Sequence, residues 1–528
     1  MNRGILRILI GVIVAAFLTA SLAAVAAAAG TSTRILVGYE GSLTAASQTI
    51  LDRGGRVDFA YTNFPIVAAT VPARGVSALA VSGGISFVEP VLARYVTSHL
   101  LEGELWDGRP QIMPWGTAAV HAPEAWALSG SRGDGVRVAV LDTGFDLRHR
   151  DLARNLRVDL GFDFVDGDTD PSDTEGPFLG HGTSTAGNIA ALDNRIGTVG
   201  VAPEADILPF RVCDSLEGIC FTSAIIAAVD AAITNGADVI SMSFGGPSAS
   251  RGEKIALRAA FDAGIVLVAS AGNAGRPPIE CPACLAEVIA VGATDIDNAL
   301  ADFSSFGKGA ELVAPGVDVP SPTFGGNGRE AVLLQTAPDE VVLHPNPLEF
   351  TALTGGLTAP LAFAGRATDS EVASLDLSGM IALIERGDIT FAEKVANVAD
   401  RGALGAVIYN NAPGNFVGTL SSLSAIPAVS ISQEEGLALK AKLDADVAVE
   451  VHMVVIAIDY DLASGTSFSA PHVSGVAALV LGAAPDLSGQ EVRVLLQATA
   501  TDLGAAGYDT VFGFGLVNAE AAVAAALG

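Results

Sequence analysis

The chain has 528 residues, half of them hydrophobic, which is enough for about two to four domains with large cores. Its 58 acidic and 29 basic residues give a net charge of −29. This charge excludes nucleic acid as a partner, because nucleic-acid interfaces are basic, and it favours solubility.

The N-terminus has the composition of an export signal. Arg3 and Arg7 precede an uninterrupted apolar run over residues 8–29, which ends in small residues. We therefore predict a signal peptide over residues 1–29 and a secreted, extracellular protein. The run is also long enough to span a bilayer, so a retained N-terminal anchor is the alternative. No later segment approaches a membrane span, and we expect no membrane partner after signal removal.

A small unit follows the signal, and we assign residues 30–105 to it. Residues 34–39 and 85–90 have the apolar, β-branched composition of strands and form its first and last elements. The interval 96–110 reads as a linker to the next domain.

The next domain alternates buried strands with helices. Its predicted strands are 136–141, 206–212, 237–242, 265–270 and 288–293. Residues 222–235 have helical apolar spacing and stop at Gly236. The fold class is therefore α/β, with a mostly parallel sheet covered by helices on both faces. Ligands bind such sheets at the C-terminal ends of the strands, where Asp142 and Asn273 fall.

An acidic loop and four cysteines belong to the same domain. The loop carries Asp166, Asp168, Asp170 and Asp173. It is either a solvated loop or a site for a hard cation, although its spacing is not that of an EF-hand.

The cysteines form two local pairs, and in an exported chain we expect a disulfide in each. The second pair could also be a redox dithiol or half of a zinc site, although no nearby Cys or His completes a zinc site. The pairs are Cys213 with Cys220, and Cys281 with Cys284.

Three short motifs follow in the order Asp, His, Ser. Asp142 lies in Val-Leu-Asp-Thr-Gly, His181 in Gly-His-Gly-Thr and Ser467 in Gly-Thr-Ser-Phe-Ser-Ala-Pro. Singly they could be a turn-forming aspartate, a structural histidine and a helix N-cap serine. Together they supply what an activated serine needs, namely an imidazole base and a carboxylate that orients it. Their order is not that of chymotrypsin-like enzymes or of hydrolases with a nucleophile elbow. These motifs resemble the catalytic set of the subtilisin-like serine endopeptidases.

The resemblance implies a role for each residue. Ser467 is the nucleophile, His181 the general base and Asp142 the residue that orients it. Asn273, after the strand 265–270, donates to the oxyanion together with the backbone N–H of Ser467.

The resemblance also implies the walls of the first substrate pocket, and with no acidic residue evident beside them it favours an apolar substrate side chain. The wall residues are Ser243, Phe244 and Gly245 on one side, and Ala271 and Gly272 on the other.

The same family resemblance implies a structural calcium ion. Its ligands would be one carboxylate, two amide side chains and main-chain carbonyls, which suit a hard cation. The residues are Gln111, Asp151, Leu192, Asn194, Ile196 and Thr198.

The unit at 30–105 is similar to the inhibitory propeptides of these enzymes. The resemblance implies a chain that is inhibited by its own propeptide and matures by cleaving itself shortly before Gln111. An ordinary small domain is the alternative. The catalytic domain would then comprise residues 106–328 and 456–528.

An insert over residues 329–455 interrupts that domain. Residues 379–387 and 402–411 read as buried strands on either side of an amphipathic helix at 390–401, and they resemble the protease-associated (PA) domain. Such a β-rich insert either shapes access of substrate or partners to the cleft or is a spacer.

Two positions depart from the family pattern without removing a catalytic group. Ser184 stands where a second histidine is frequent, and Phe468 where methionine is common. The expected function is hydrolysis of peptide bonds in protein or peptide substrates. The alternative is a catalytically silent binding or adhesion protein on the same fold, which a serine-reactive fluorophosphonate probe would distinguish.

Overall fold

The computed structural model describes residues 32–96, 99–100, 111–326, 328–416, 418–420 and 422–528. The predicted signal peptide, its alternative as a membrane anchor, and the expected cleavage shortly before Gln111 lie outside these residues.

The strands of the described residues, in chain order, are β1 Ser32–Tyr39, β2 Arg56–Ala60, β3 Ile66–Pro72, β4 Ile85–Pro90, β5 Ala93–Val96, β6 His99–Leu100, β7 Arg137–Asp142, β8 Phe162–Asp163, β9 Asp206–Arg211, β10 Ile219–Phe221, β11 Val239–Met242, β12 Phe244–Gly245, β13 Val266–Ser270, β14 Ile289–Thr294, β15 Leu312–Pro315, β16 Val319–Pro322, β17 Gly328–Ala337, β18 Val341–Leu343, β19 Asn346–Pro347, β20 Thr354–Phe363, β21 Ile381–Glu385, β22 Gly405–Tyr409, β23 Ala428–Ile431, β24 Glu450–Ile458 and β25 Tyr460–Ser464. The helices are α1 Leu43–Asp52, α2 Ala73–Ala80, α3 Trp115–Ala119, α4 Ala122–Ser129, α5 His181–Ala190, α6 Thr222–Thr234, α7 Arg251–Asp262, α8 Asp369–Val372, α9 Phe391–Ala399, α10 Gln433–Asp444, α11 Thr466–Ala483, α12 Gly489–Thr499 and α13 Ala519–Leu527.

The N-terminal unit is an antiparallel sheet in the order β2-β3-β1-β4 with α1 and α2 on one face. Side chains alternate across a strand, so Ile35 and Val37 enter the core of this unit while Leu36 packs into the core of the next domain. The sheet is therefore buried on both faces. Its second face rests on α6, where the N–H groups of Thr62 and Asn63 donate to the Asp230 carboxylate at 2.8 and 2.7 Å.

A seven-stranded parallel sheet forms the centre of the next domain, in the order β15-β14-β13-β11-β7-β9-β8. Helices α5 and α11 pack on one face, and α6 and α7 on the other. Along β7, Val138 and Val140 enter the first core and Ala139 and Leu141 the second. This double burial explains the continuous apolar runs of the sequence and confirms the predicted fold class.

A second large sheet comprises eight strands in the order β18-β17-β24-β20-β21-β22-β23-β19. Strands β20 to β23 are parallel, and α9 connects β21 to β22. This is the strand, helix and strand predicted for the insert. The insert leaves and rejoins the main domain through β17 and β24, whose outer residues Gly328 and Ile458 are paired.

The described residues offer neither a membrane-spanning helix nor a clustered metal site. No helix among them is long and apolar enough to cross a bilayer. No group of three or more His, Cys, Asp or Glu side chains in that part of the chain is arranged to hold a metal ion.

Candidate active site

Asp142 is the last residue of β7, at the C-terminal edge of the parallel sheet, and it is 1% exposed. Its Oδ1 accepts from the Thr143 N–H at 2.7 Å and lies 2.6 Å from Nδ1 of His181. Its Oδ2 accepts from the Thr185 hydroxyl at 3.0 Å. Both carboxylate oxygens are thus held in place by hydrogen bonds.

His181 begins α5, and the glycines beside it are required by close packing. A Cβ on Gly180 would lie 2.3 Å from the Thr323 hydroxyl, and one on Gly182 would lie 2.1 Å from the Gly144 carbonyl oxygen. The sequence Gly-His-Gly therefore brings the imidazole against β7. When Nδ1 carries the proton and donates to Asp142, Nε2 has the free lone pair. Within the described residues Nε2 is buried and makes no hydrogen bond.

Ser467 lies in the first turn of α11 and is 0% exposed. Its neighbours in sequence contact the other candidate groups. Thr466 donates to the Oδ1 of Asn273, and the Phe468 ring lies 5.4 Å from the His181 ring, between centroids. Three consecutive residues at one helix N-terminus thus bring together the side chains predicted as nucleophile, base and oxyanion donor.

The hydroxyl of Ser467 donates to the Ser243 carbonyl oxygen at 3.0 Å rather than to His181. The Ser243 hydroxyl in turn donates to the Ser467 carbonyl oxygen at 2.8 Å. Catalytic hydrogen bonds are often absent without substrate, and a serine hydroxyl changes acceptor by rotation about one bond. The structure therefore shows Ser467 bonded to the pocket wall.

The Asn273 side chain is fixed on one side and open on the other. Its Oδ1 accepts from both the backbone N–H and the hydroxyl of Thr466, at 3.0 and 2.8 Å. These two donors define which end of the amide is the oxygen. Its Nδ2 is buried and has no hydrogen-bond partner among the residues the structure describes. A free amide donor at the edge of a cleft, held rigidly from behind, is what stabilisation of an oxyanion requires.

Comparison with known proteins identifies the family of this chain. The Subtilase family model matches residues 133–341 and 452–515, which include Asp142, His181, Asn273 and Ser467. The chain belongs to the subtilase family. A PA domain model matches residues 353–439, between the two segments of the subtilase match.

The similar proteins are bacterial proteases. The minor extracellular protease Vpr of Bacillus subtilis (strain 168) is 27% identical in a match 510 residues long that covers 85% of this chain and 59% of Vpr. Subtilisin NAT of Bacillus subtilis subsp. natto is 35% identical in a match 305 residues long that covers 56% of this chain and 74% of that protein. The chain thus spans less than two thirds of the length of Vpr.

The fold is also similar to those of solved subtilisin-like proteases. The psychrophilic subtilisin-like protease Apa1 from Pseudoalteromonas sp. AS-11 superposes with a TM-score of 0.55 at 30% identity, covering 79% of this chain and 99% of Apa1. Fervidolysin from Fervidobacterium pennivorans, at 23% identity, superposes with a TM-score of 0.61, and the match covers 94% of this chain and 61% of fervidolysin. The fervidolysin likeness bears on the fold alone.

An acidic residue that the sequence analysis did not single out lies beside the predicted walls of the first pocket. Glu280 lies between the two segments predicted as pocket walls. A Cβ on Gly245 would lie 2.3 Å from its Oε2, and one on Gly272 would lie 2.7 Å from its Cδ. Burial raises the pKa of Glu280, and the nearby charge of Arg94 opposes that shift. The expectation that no acidic residue stands beside Ser243, Phe244, Gly245, Ala271 and Gly272 is therefore wrong.

Glu280 is placed by hydrogen bonds distant from its own position in sequence. Its N–H donates to the Ala271 carbonyl oxygen at 2.9 Å, and Cys281 exchanges backbone bonds with Gly246 at 2.8 and 3.0 Å. The only signal in the sequence is that Glu280 follows Asn273 by seven residues in a proline-rich loop.

The residues predicted to bind calcium converge around a buried carboxylate. Asp151 is 0% exposed and accepts from the Thr198 N–H at 2.9 Å and from the Asn194 amide at 3.0 Å. The Gln111 amide donates to the Leu192 and Thr198 carbonyl oxygens at 2.6 and 2.9 Å, and the Ile196 N–H donates to Oδ1 of Asn194 at 3.0 Å.

Burial raises the pKa of Asp151 to about 7. One carboxylate, the Gln111 and Asn194 amide groups and the Leu192 and Thr198 carbonyl oxygens make a ligand set that suits a hard cation such as calcium. In this structure N–H groups of the same residues bind the carboxylate and carbonyl oxygens instead.

In the acidic loop, Asp168 and Asp170 accept from N–H and hydroxyl groups of the loop itself, whereas Asp166 and Asp173 have more distant partners. Asp163 and Asp166 both pair with the Arg211 guanidinium, Asp166 at 2.7 Å. Asp173 is buried and accepts from the Gly180 N–H at 2.7 Å and from the hydroxyls of Thr143 and Ser215. These contacts give the loop a structural role beside the His181 helix.

The cysteines are joined in the two predicted pairs. Cys213 is bonded to Cys220, with their Cα atoms 4.0 Å apart, and Cys281 to Cys284, with their Cα atoms 4.6 Å apart. The second pair begins at the residue that follows Glu280.

Proposed function

We propose that this subtilase is a secreted serine endopeptidase. The observation that carries the proposal is the 2.6 Å contact between Nδ1 of His181 and Asp142, with Nε2 left open beside the Ser467 turn. His181 would accept the proton of Ser467 through Nε2 as Oγ attacks the peptide carbonyl, and would then deliver it to the leaving amine. Asp142 would stabilise the imidazolium that forms between these steps.

Asn273 would stabilise the tetrahedral oxyanion. Its Nδ2 would donate to the developing charge, together with the backbone N–H of Ser467 at the helix N-terminus. Because Thr466 already fixes the amide, no reorganisation is needed when the charge forms.

We infer that the N-terminal unit is an inhibitory propeptide that the enzyme removes itself. Strand β5 pairs antiparallel with β12, on the wall of the first pocket. Strand β6 pairs with β25, which ends three residues before Ser467. The chain thus approaches the nucleophile from both sides, as a bound substrate does. This supports self-cleavage at a bond between Val96 and His99, upstream of the position near Gln111 that the sequence suggested.

Export and calcium complete the proposal. An extracellular location is supported by the predicted signal at 1–29 and by the name of Vpr, an extracellular protease. Gln111, Asp151 and Asn194 would hold the calcium ion with main-chain carbonyls, and its role would be to stabilise the folded protein. The PA insert would tune the access of large substrates to the cleft.

A fluorophosphonate probe and one variant test the function. The wild-type protein should be labelled at Ser467, and Ser467→Ala should be unlabelled, inactive on casein and recovered as the uncleaved precursor. A silent binding protein would give no labelling in either form. Normal processing of the purified Ser467→Ala protein, in a host without other proteases, would contradict self-maturation.

A further inference from the structure

A buried ion pair links the N-terminal unit to the cleft. Arg94, in β5, is 1% exposed, and Glu253, in the first turn of α7, is 0% exposed. The guanidinium binds the carboxylate through two nitrogens: Nη2 donates to Oε2, and Nε donates to Oε1 at 3.2 Å. Nη2 also donates to the Ser248 carbonyl oxygen at 2.6 Å. This planar, two-pronged contact is specific for arginine, because the ammonium of lysine cannot reproduce it.

Glu253 is held rigidly before any partner arrives. It is the third residue of α7 in a capping box with Ser250, whose hydroxyl accepts from the Glu253 N–H at 3.0 Å. The Ser250 N–H donates back to Oε2 at 3.2 Å. One backbone N–H does not compensate a carboxylate that is removed from water. The guanidinium supplies the positive charge.

Arg94 reaches Glu253 from a strand that is bound in the manner of an extended peptide. Strand β5 lies between β10 and β12 and pairs antiparallel with both. Tyr95, next to Arg94, pairs with Gly245 of the first pocket, and its side chain is half exposed. Side chains alternate along a strand, so the neighbours of Tyr95 turn into the enzyme. Arg94 therefore occupies a side-chain pocket on the N-terminal side of the bond presented to Ser467.

Gly246 leaves room for this side chain. A Cβ there would lie 3.0 Å from Nη1 and 3.3 Å from Cδ of Arg94, and 3.5 Å from the Ala93 carbonyl oxygen. All three nearest atoms belong to β5. The space above Gly246 is therefore shaped by the bound strand and not by the packing of the catalytic domain.

We propose that Glu253 forms a subsite that selects arginine in extended peptide substrates. The inference rests on the proposed peptidase function, and it adds a substrate class to that function. When the propeptide leaves, the Glu253 carboxylate loses its guanidinium. An arginine of the incoming substrate, in register with Arg94, replaces it. The subsite is distinct from the first pocket, where Glu280 lies.

The test uses the purified mature enzyme and internally quenched peptides with the sequence of residues 90–102 of this chain. The peptides carry arginine, lysine, citrulline or alanine at the position of Arg94. Citrulline has the shape of arginine without the charge. We expect kcat/KM to be at least tenfold higher for arginine than for citrulline or alanine, with lysine intermediate.

Two variants locate the effect. E253Q keeps the hydrogen-bonding shape of the capping box, and we expect the preference for arginine over citrulline to fall below about threefold. G246A should lower kcat/KM for the arginine peptide more than for the alanine peptide. The matched control is E491Q, which alters the same capping-box position in α12, where the glutamate is exposed. This control should retain the full preference. If E253Q does not mature itself, affinity-tagged wild-type enzyme can process it and then be removed.

The outcomes separate the subsite from the peptidase function. Equal rates on arginine and citrulline peptides, in an enzyme that digests casein, would overturn the subsite alone. A preference that persists in E253Q would also overturn it, since another group would then select arginine. Failure to digest casein together with failure to react with a fluorophosphonate would instead overturn the proposed function.

Discussion

Asp151 provides a measurable link between pH, calcium and stability. Its carboxylate is 0% exposed, and burial raises its pKa from the ordinary value of 3.8 to about 7. Without calcium the folded state therefore binds the proton more tightly than the unfolded state. Stability contributed by this group is highest below pH 4 and is lost as the pH rises towards 7. The pKa values of Asp151 in the folded and unfolded states differ by about three units, which corresponds to about 4 kcal/mol at about 1.4 kcal/mol per unit.

The perturbation is Asp151→Asn, measured by urea unfolding of enzyme that a fluorophosphonate has inactivated to prevent self-digestion. In excess chelator, the difference in unfolding free energy between wild type and variant should change by about 3 kcal/mol between pH 4 and pH 7, in favour of the variant, because Asp151 is still half protonated at pH 7. With calcium at a hundredfold excess over its dissociation constant, wild type should gain about 2.7 kcal/mol at pH 7 and the variant much less. Comparison of the two proteins at each pH removes the contributions of other titrating groups.

The control is Asp193→Asn, in the same loop. The Asp193 side chain is 48% exposed and pairs with Arg132 at the surface, so its removal should change neither the pH dependence nor the calcium effect by more than about 0.5 kcal/mol. The reasoning about Asp151 would be refuted if its replacement left the pH dependence in chelator unchanged. Equal stabilisation by calcium in wild type and Asp151→Asn would refute the metal assignment.

Three further changes test the cleft and the insert. Asn273→Ala should lower kcat about a hundredfold or more with little change in KM, because the donor acts in the transition state, and near wild-type turnover would remove Asn273 from the site. The Glu280 carboxylate should make the first pocket prefer lysine or arginine to leucine directly before the cleaved bond, and Glu280→Gln should reduce that preference about tenfold in peptides that differ only there. An unchanged ratio would show that the Glu280 carboxylate does not face the substrate. Replacement of residues 329–455 by a short Gly-Ser linker should preserve hydrolysis of small peptides and alter the rate on casein, since the insert joins the core at paired strands. Equal effects on both substrates would make the insert a spacer.

The parallel sheet was predictable because it is buried on both faces. Strands β7 and β13 differ by one residue from the ranges that the apolar runs indicated, and β11 starts two residues later than expected. The delay has a local cause: the Ala237 N–H still bonds to the Ala232 carbonyl oxygen at the end of α6, at 2.9 Å. Element ends depend on such capping bonds, which apolar periodicity does not report.

The candidate catalytic residues could also be predicted from the sequence, because each lies in a short motif. The residues that line the substrate side of the cleft could not. Asp142 and His181 sit in short motifs whose glycines are demanded by close packing, and Ser467 follows Gly465, whose φ of 144° favours glycine. Residues 93–96 have no such signature, and their pairing with β10 and β12 depends on segments more than a hundred residues away. Glu280 is likewise positioned by backbone hydrogen bonds to segments that are distant in sequence. Non-local pairing of this kind leaves no periodic trace in the chain.

Glu253 shows why a complete local explanation can conceal a site. Ser250 and Glu253 fit a capping box, and at the level of sequence that box accounts for both residues. The same box begins α8, α9 and α12 with glutamates that remain exposed to water, and begins α10 with one that is 19% exposed. A capping role does not require burial, so the 0% exposure of Glu253 needs a second cause. A carboxylate removed from water is retained where a cation meets it, and that cation is Arg94, which lies 159 residues away on the strand that enters the cleft.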